Sequence, residues 1–245
     1  MISLFERNED NILLRGFKHQ GDSNRKVILF QHGYFSANCS GPNRLFYCIA
    51  KMGLIRNFDS VRIDMIGTGL SDGKLSDSRY IGNLEAYKNI LYELSNVYDE
   101  IILIGHSMGT SYTLELSNHP KVVSSILISP SFGLIDNIDI LFNKRQKEEL
   151  KINGYTDRKG LIVSQDFLIE SQNVEIKNYK TKLKKPLTFI YGSNDELYKK
   201  ESLMEFVSGW NKSKNYEISE ADHNFIELIP RLKLLEIVIH CLEKI

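Results

Sequence analysis

The chain has 245 residues, and its 31 Lys and Arg balance 31 Asp and Glu, so the formal net charge at pH 7 is zero. This balance provides no overall field that would favour a nucleic acid or an anionic membrane, and the length suits one large domain carrying at most one insertion. The three cysteines include no Cys-x-x-Cys pair, so neither a disulfide framework nor a structural zinc site is expected.

The N-terminal segment lacks the basic start and the apolar run of a signal peptide. No apolar stretch approaches the ~18 residues that a membrane-spanning helix needs. We therefore expect a cytoplasmic protein that binds neither membrane nor nucleic acid.

Two strands are predicted at the start of the chain, over 2–5 and 12–18, joined by a polar turn at 8–11. Short apolar runs that alternate with helical patterns follow, and this alternation predicts a mostly parallel sheet with crossover helices. The later strands are predicted over 26–31, 60–64, 100–104, 122–128, 187–191 and 216–218, and the helices over 44–52, 80–98, 108–118, 199–210 and 227–242.

A long stretch without a clear strand pattern separates the sixth predicted strand from the seventh. Connections of this length are usually lids or binding elements. Apolar residues at Leu134, Ile138 and Phe142 follow the spacing of one helix face, and we expect them to line an acyl or aryl pocket. The chain is thus divided into a core of residues 1–130 and 186–245 and a helical cap of residues 131–185. An additional helical layer without a binding role is the alternative.

The motif Gly105-His106-Ser107-Met108-Gly109 lies between a predicted strand and a predicted helix. This context predicts a sharp turn that lifts the serine side chain clear of the sheet edge. The serine takes a strained backbone conformation there, so the residues two positions away must be small, as Gly105 and Gly109 are. The helix that follows offers N–H groups and its positive dipole end to an oxyanion. Ser107 is the predicted nucleophile.

A serine hydroxyl needs a base within hydrogen-bond reach. Of the six histidines, His223 directly follows the last predicted strand, where a sheet of this kind places the base. The acid is expected after the preceding strand, and Asp195 occupies that position. Glu196 and Asp222 are competing carboxylates, one position further from the strand and adjacent to the base, respectively.

A second turn, His32-Gly33-Tyr34, follows the strand predicted over 26–31. A backbone N–H in this turn would complete an oxyanion hole with the N–H of Met108, and Tyr34 is the predicted donor. The side chain of His32 is expected to anchor the loop.

The glycine-rich segment 62–73 matches neither a dinucleotide-binding fingerprint nor a Walker A loop. It is predicted to be a structural turn in which Asp64 holds backbone amides.

Taken in chain order, these motifs resemble those of the α/β-hydrolase superfamily. They are His32-Gly33, Asp64-x-x-Gly67-x-Gly69-x-Ser71, Gly105-His106-Ser107-Met108-Gly109, Gly192-x-x-Asp195 and Asp222-His223. With the run Ser71-Asp72-Gly73-Lys74, the compact size and the mid-length cap, the chain resembles bacterial cinnamoyl/feruloyl esterases and monoacylglycerol lipase-like serine hydrolases.

The resemblance implies an eight-stranded, mostly parallel sheet flanked by helices, with the cap inserted after the sixth strand. It also implies hydrolysis of carboxylic esters without a cofactor or a metal. The roles it carries over are nucleophile, acid and base for Ser107, Asp195 and His223, and oxyanion amides for Tyr34 and Met108.

Three functions remain open at this point. The first is an esterase acting on small to medium acyl or aryl esters. The second is a thioesterase or acyltransferase that serves an acyl carrier protein, which the basic cluster Lys144-Arg145-x-Lys147 could contact. The third is a binding protein without activity on the same scaffold. The sequence does not specify the substrate or the oligomeric state.

Overall fold

The computed structural model describes residues 1–22, 24–34, 39–131, 138–172, 183–197, 203–205, 208, 210 and 213–245. The strands are β1 (Ile2–Glu9), β2 (Ile12–His19), β3 (Lys26–Gln31), β4 (Phe58–Ile63), β5 (Glu100–His106), β6 (Val122–Ile128), β7 (Tyr155–Arg158), β8 (Leu161–Ser164), β9 (Leu187–Gly192) and β10 (Ser213–Ile218). The helices discussed below are α1 (Leu45–Leu54), α2 (Tyr80–Val97), α3 (Gly109–Leu116), α4 (Ile138–Leu141), α5 (Lys144–Asn153), α6 (Gln165–Gln172) and α7 (Leu228–Leu242).

Eight of these strands form one sheet in the order β1-β2-β4-β3-β5-β6-β9-β10. The strand β2 pairs antiparallel with both β1 and β4, and the remaining neighbours pair parallel. The predicted eight-stranded, mostly parallel sheet is therefore confirmed.

The central strands are apolar on both faces because helices cover both sides of the sheet. Successive side chains of a strand point to opposite faces, so β3 and β5 contribute to two separate cores. One core, with α2 and α3, contains Val27, Leu29, Ile101 and Leu103. The other core, with α1 and α7, contains Ile28, Phe30, Ile102 and Ile104.

The first hairpin is longer than predicted. Asp10 and Asn11 have φ of 49° and 69°, and two such residues make the tight turn that matches the twist of antiparallel strands. Pairing therefore continues up to Glu9 and Ile12. The helix predicted over 199–210 lies largely outside the described residues.

The insertion after β6, expected to be a helical cap, contains strands as well as helices. Its described part contains α4, α5 and α6, and also the antiparallel hairpin formed by β7 and β8. Each hairpin strand has only four residues, too few for an alternating pattern to stand out in the sequence. The turn is made by Lys159 and Gly160, whose φ values are 53° and 84°.

None of the described helices combines the length and the apolar character needed to cross a membrane. The cytoplasmic location expected from the sequence remains a prediction.

Candidate active site

The predicted triad and oxyanion-hole residues follow the carboxyl ends of strands of the main sheet. Parallel pairing sets Gln31 beside Gly105, His106 beside Ile128, and Ile218 beside Gly192. The carboxyl ends of parallel strands meet at the same edge, which is where open α/β sheets form their ligand sites. The segments that begin after these strands are therefore neighbours in space.

The turn after β5 has the strained geometry that the motif predicts. Ser107 has a φ of 54°, a left-handed conformation that is uncommon for a residue other than glycine. A Cβ on Gly105 would lie 2.2 Å from Thr113 Oγ1, and one on Gly109 would lie 2.0 Å from the carbonyl oxygen of Gln31. Both positions therefore require glycine. Ser107 itself is half-buried at the end of the turn.

A chain of hydrogen bonds joins the three predicted triad residues. The Oγ atom of Ser107 lies 2.9 Å from His223 Nε2, and His223 Nδ1 lies 2.8 Å from Asp195 Oδ2. A carboxylate can only accept, so Nδ1 carries the proton and Nε2 presents its lone pair to the serine hydroxyl. The second oxygen of Asp195 accepts from the backbone N–H of Leu197 at 2.9 Å. The arrangement can take a proton from Ser107 and stabilise the resulting imidazolium.

The two competing carboxylates have other positions. Asp222 Oδ1 accepts from the backbone N–H of Ile226 at 2.9 Å, which holds the turn that follows the histidine. Glu196 is exposed. Of the three candidate acids, Asp195 is the one bonded to the His223 ring.

The acid loop and the base loop are bonded to each other directly. Asn194 donates from its backbone N–H to the carbonyl oxygen of Ala221 at 2.9 Å, and Glu220 donates to Ser193 Oγ at 2.9 Å. A Cβ on Gly192 would lie 2.1 Å from the same Ala221 oxygen. The glycine therefore permits the close approach that keeps Asp195 opposite His223.

Two further side chains, not assigned from the sequence, hold the backbone of His223, the predicted base. His106 Nε2 lies 3.0 Å from the carbonyl oxygen of His223, and Ser129 Oγ donates to that oxygen at 2.8 Å. Ser129 directly follows β6, so a polar residue at the carboxyl end of a central strand was the available signal. His106 occupies a variable position of the Gly-x-Ser-x-Gly motif, and nothing in the sequence indicates that its side chain supports His223.

The turn after β3 passes directly over the serine. A Cβ on Gly33 would lie 3.0 Å from Ser107 Cβ and 3.4 Å from its Oγ. Tyr34 directly follows Gly33, and Met108, the N-cap residue of α3, directly follows Ser107. Backbone N–H groups in these positions have the donor chemistry that an oxyanion needs.

His32 anchors this turn through both ring nitrogens. Its Nδ1 donates to the carbonyl oxygen of Gly33 at 2.8 Å, and its Nε2 accepts from the backbone N–H of Met65 at 3.1 Å. Burial lowers the pKa of His32, and the Met65 bond also requires the unprotonated ring nitrogen. The side chain therefore joins the turns after β3 and β4.

The glycine-rich turn after β4 is organised by Asp64. Its two carboxylate oxygens accept from the backbone N–H groups of Leu70, at 2.9 Å, and Cys39. Ser71 Oγ donates to the Asp64 carbonyl oxygen at 2.5 Å. These contacts make a tightly bonded turn.

The predicted cap residues are placed only in part. Phe142 is buried in the apolar cluster that includes Tyr34 and Met108, and Ile138 packs against this cluster. Leu134 lies outside the described residues. The role of the three side chains as a pocket lining stays a prediction.

Across the described ranges, no group of three or more His, Cys, Asp or Glu side chains could hold a metal ion. The three cysteines are free thiols.

Solved structures with the same architecture are numerous. Over 98% of both chains, Est1E from Butyrivibrio proteoclasticus with bound ferulic acid superposes with a TM-score of 0.85 at 18% identity. The chain has the α/β-hydrolase fold. Alpha/beta hydrolase domain-containing protein 10 from mouse shares this fold with a TM-score of 0.78 at 18% identity, over 99% of both chains.

A thioesterase domain from the curacin biosynthetic pathway has the α/β-hydrolase fold as well, with a TM-score of 0.66 at 15% identity over 99% of both chains. No protein-family model matches the sequence, and neither does any curated protein. The similarity of this chain to known proteins was therefore found by comparing structures, and it is a similarity of fold.

Proposed function

We propose that this protein is a serine hydrolase that cleaves carboxylic esters of small to medium acyl or aryl groups through an acyl-enzyme on Ser107. The observation that carries the proposal is the continuous hydrogen-bonded path from Ser107 Oγ through His223 to Asp195. The similar structure of Est1E is described with bound ferulic acid, an aryl carboxylic acid of the class that hydrolysis of an aryl acyl ester would release.

In the proposed reaction, Ser107 Oγ attacks the ester carbonyl carbon while His223 Nε2 takes the hydroxyl proton. The negative charge that develops on the carbonyl oxygen is stabilised by the backbone N–H groups of Tyr34 and Met108. One such donor typically contributes about 10²–10³ in rate. Asp195 holds the required tautomer of His223 and stabilises the imidazolium.

The tetrahedral intermediate then collapses, and His223 gives its proton to the leaving alcohol. Water next attacks the acyl carbon, with His223 removing a proton from the water. The Ser107 oxygen leaves and recovers its proton from His223, which releases the carboxylic acid. The cycle therefore needs neither a metal nor a cofactor.

Substrate selection is assigned in this proposal to the cap at 131–185. The cap begins after β6, at the same sheet edge as Ser107. Ile138 and Phe142 adjoin the cluster containing Tyr34 and Met108, a location compatible with the wall of an acyl or aryl pocket. Leu134 is proposed as a third lining residue.

A thioesterase is the second candidate, favoured by the likeness to the curacin thioesterase domain. The predicted contact with an acyl carrier protein has less support. In the basic cluster of α5, Arg145 pairs with Glu149 at 2.8 Å and Lys147 pairs with Asp139. These acids reduce the positive charge that a carrier would meet.

The test combines turnover of short p-nitrophenyl esters with labelling by a fluorophosphonate probe. We expect wild-type protein to hydrolyse the esters and to carry the label on the peptide containing Ser107. Ser107→Ala should abolish both, and Ser3→Ala, at an exposed serine of β1, should change neither. Turnover that survives Ser107→Ala would disprove the mechanism. Folded protein that neither turns over nor labels would indicate a binding protein.

The same preparation distinguishes the two substrate classes. Acyl-thioesters and oxygen esters with a matched acyl chain should be compared by kcat/KM. A clear preference for the thioester would replace the esterase assignment with the thioesterase one.

A further inference from the structure

A side chain of the insertion is stacked on the oxyanion-hole turn. The rings of Tyr34 and Phe167 lie 3.7 Å apart between centroids, with an interplanar angle of 17°. Phe167 belongs to α6, and both rings are buried, with 0% exposure for Phe167 and 4% for Tyr34. The Tyr34 hydroxyl faces the backbone of Ser164, at the end of β8. The insertion therefore contacts both the ring face and the hydroxyl end of Tyr34.

The part of the insertion that carries Phe167 is bonded to the core. Arg79, just before α2, reaches Asp166 Oδ2 at 3.0 Å and Ser164 Oγ at 3.3 Å. At the start of α2, the backbone N–H of Ile81 donates to Glu170 Oε2 at 3.1 Å. A carboxylate is favourable at a helix N-terminus because it satisfies a free N–H and complements the helix dipole. These bonds fix α6 against α2.

A second contact of Phe167 leads to the other proposed oxyanion donor. The ring of Phe167 meets Tyr80 edge to face, with centroids 6.3 Å apart. Tyr80 donates from its hydroxyl to Ser111 Oγ at 3.0 Å, and Ser111 Oγ donates to the carbonyl oxygen of Met108 at 2.7 Å. Tyr80 also stacks on Tyr112 of α3, with centroids 4.7 Å apart.

These contacts form one unbroken path, Tyr34–Phe167–Tyr80–Ser111–Met108. Its two ends are the residues whose backbone N–H groups are assigned to the oxyanion hole, and its middle lies in the insertion and in α2. We propose that Phe167 and Tyr80 are positioning residues that set the two oxyanion amides relative to each other. The inference rests on the proposed hydrolase function.

The physical reason is the narrow tolerance of such a site. The donors must lie about 2.7–3.1 Å from the developing oxyanion, and a misplacement of about 1 Å can reduce the rate on the order of 10²-fold. A face-to-face stack restrains the Tyr34 ring against tilting, and the ring is attached to the same residue as the N–H. In this segment the insertion acts as a fixed support for the reaction centre.

The test compares Phe167→Leu with Phe58→Leu. Both remove a buried phenylalanine ring. Phe58 is the first residue of β4 and therefore lies at the amino end of the parallel strands, away from the candidate site. We expect the two variants to lose similar stability, with Phe167→Leu alone lowering kcat, by about tenfold, with KM within about twofold of wild type. Its inhibition constant for an alkyl trifluoromethyl ketone, which forms an oxyanion on the serine, should rise by the same factor.

Tyr80→Phe is the second variant and removes only the hydroxyl. Loss of one hydrogen bond of about 1 kcal/mol corresponds to roughly a fivefold lower kcat, again with an unchanged KM. If Phe167→Leu does not fold, the result for Tyr80→Phe decides the matter, and an unchanged kcat overturns the proposal.

The failures of the two proposals are distinguishable. Wild-type protein without turnover and without label on Ser107 would refute the hydrolase function itself. An active wild type whose Phe167→Leu variant matches Phe58→Leu in kcat, or changes KM alone, would refute the positioning role and leave the hydrolase function standing.

Discussion

The His106 imidazole donates from Nε2 to the backbone carbonyl oxygen of His223, at 3.0 Å. The carbonyl can only accept, so the proton lies on Nε2, and the buried Nδ1 has no hydrogen-bond partner among the described atoms. Burial, reinforced by the neighbouring His223, lowers the pKa of His106 to about 3. The ring next to Ser107 therefore stays neutral at physiological pH and holds the backbone of His223.

Replacing His106 should impair catalysis through the position of His223. We expect His106→Ala to lower kcat/KM for the best ester about tenfold, since one hydrogen bond contributes ~0.5–1.5 kcal/mol and the ring is also lost. Ser129→Ala, which removes the other donor to the same carbonyl oxygen, should lower it less. His240→Gln, on the exposed face of α7, is the control and should leave kcat/KM unchanged. Wild-type kinetics in His106→Ala would contradict this role.

Asp195→Asn should reduce kcat by on the order of 10⁴, because an amide at this position favours the wrong tautomer of His223. Asp222→Asn provides the matched comparison, since this carboxylate is the neighbour of the base in sequence and bonds a backbone N–H instead. It should retain activity close to wild type. Steady-state kinetics of the two variants measures both values of kcat. A comparable loss in Asp222→Asn would mean that the acid is misassigned.

Gly105→Ala should destabilise the protein by about 2 kcal/mol or more and abolish activity. The added methyl would lie 2.2 Å from Thr113 Oγ1, and overpacking of this kind typically costs about 1–3 kcal/mol. Gly82→Ala in α2, where the nearest atom would be 3.8 Å away, should instead add up to about 1 kcal/mol through better helix propensity. Urea unfolding measures both free energies, and a Gly105→Ala variant as stable as wild type would contradict the close packing of this turn.

The stability of the fold should decrease as the pH falls from about 6.5 toward 4, in part through His19. This residue is fully buried, with Nε2 3.1 Å from Arg62 Nη2. Burial and the Arg62 charge lower its pKa from 6.5 to about 4. Between these values the unfolded chain binds a proton that the folded chain does not, so the contribution is present above pH 6.5 and is lost on acidification.

We expect His19→Gln to flatten this dependence by up to about 1.4 kcal/mol per pH unit, the effect of one proton. The free energy of unfolding should be measured by urea titration at several pH values, with His240→Gln as the control. An identical slope in wild type and His19→Gln would show that His19 is protonated in the folded protein as well.

The sequence by itself determined the sheet and indicated the candidate triad. Ser107 could be predicted from local sequence, because its strained turn requires small residues two positions away on either side, and these are Gly105 and Gly109. Asp195 and His223 are far from Ser107 in the sequence, but each follows a parallel strand. Because the carboxyl ends of parallel strands meet at the same edge of the sheet, their positions after these strands predict that they lie close to Ser107. The eight-stranded sheet is confirmed, and the catalytic roles of these residues stay predictions.

The tertiary structure alone decided how the site is supported. The bonds from His106 and Ser129 to the His223 carbonyl oxygen, and the stack of Phe167 on Tyr34, join residues that no periodic pattern links. The hairpin of β7 and β8 was hidden for a related reason, since strands of four residues carry too little pattern. Hydrophobic periodicity predicts which face of an element is buried, and packing between distant elements decides what that face contacts.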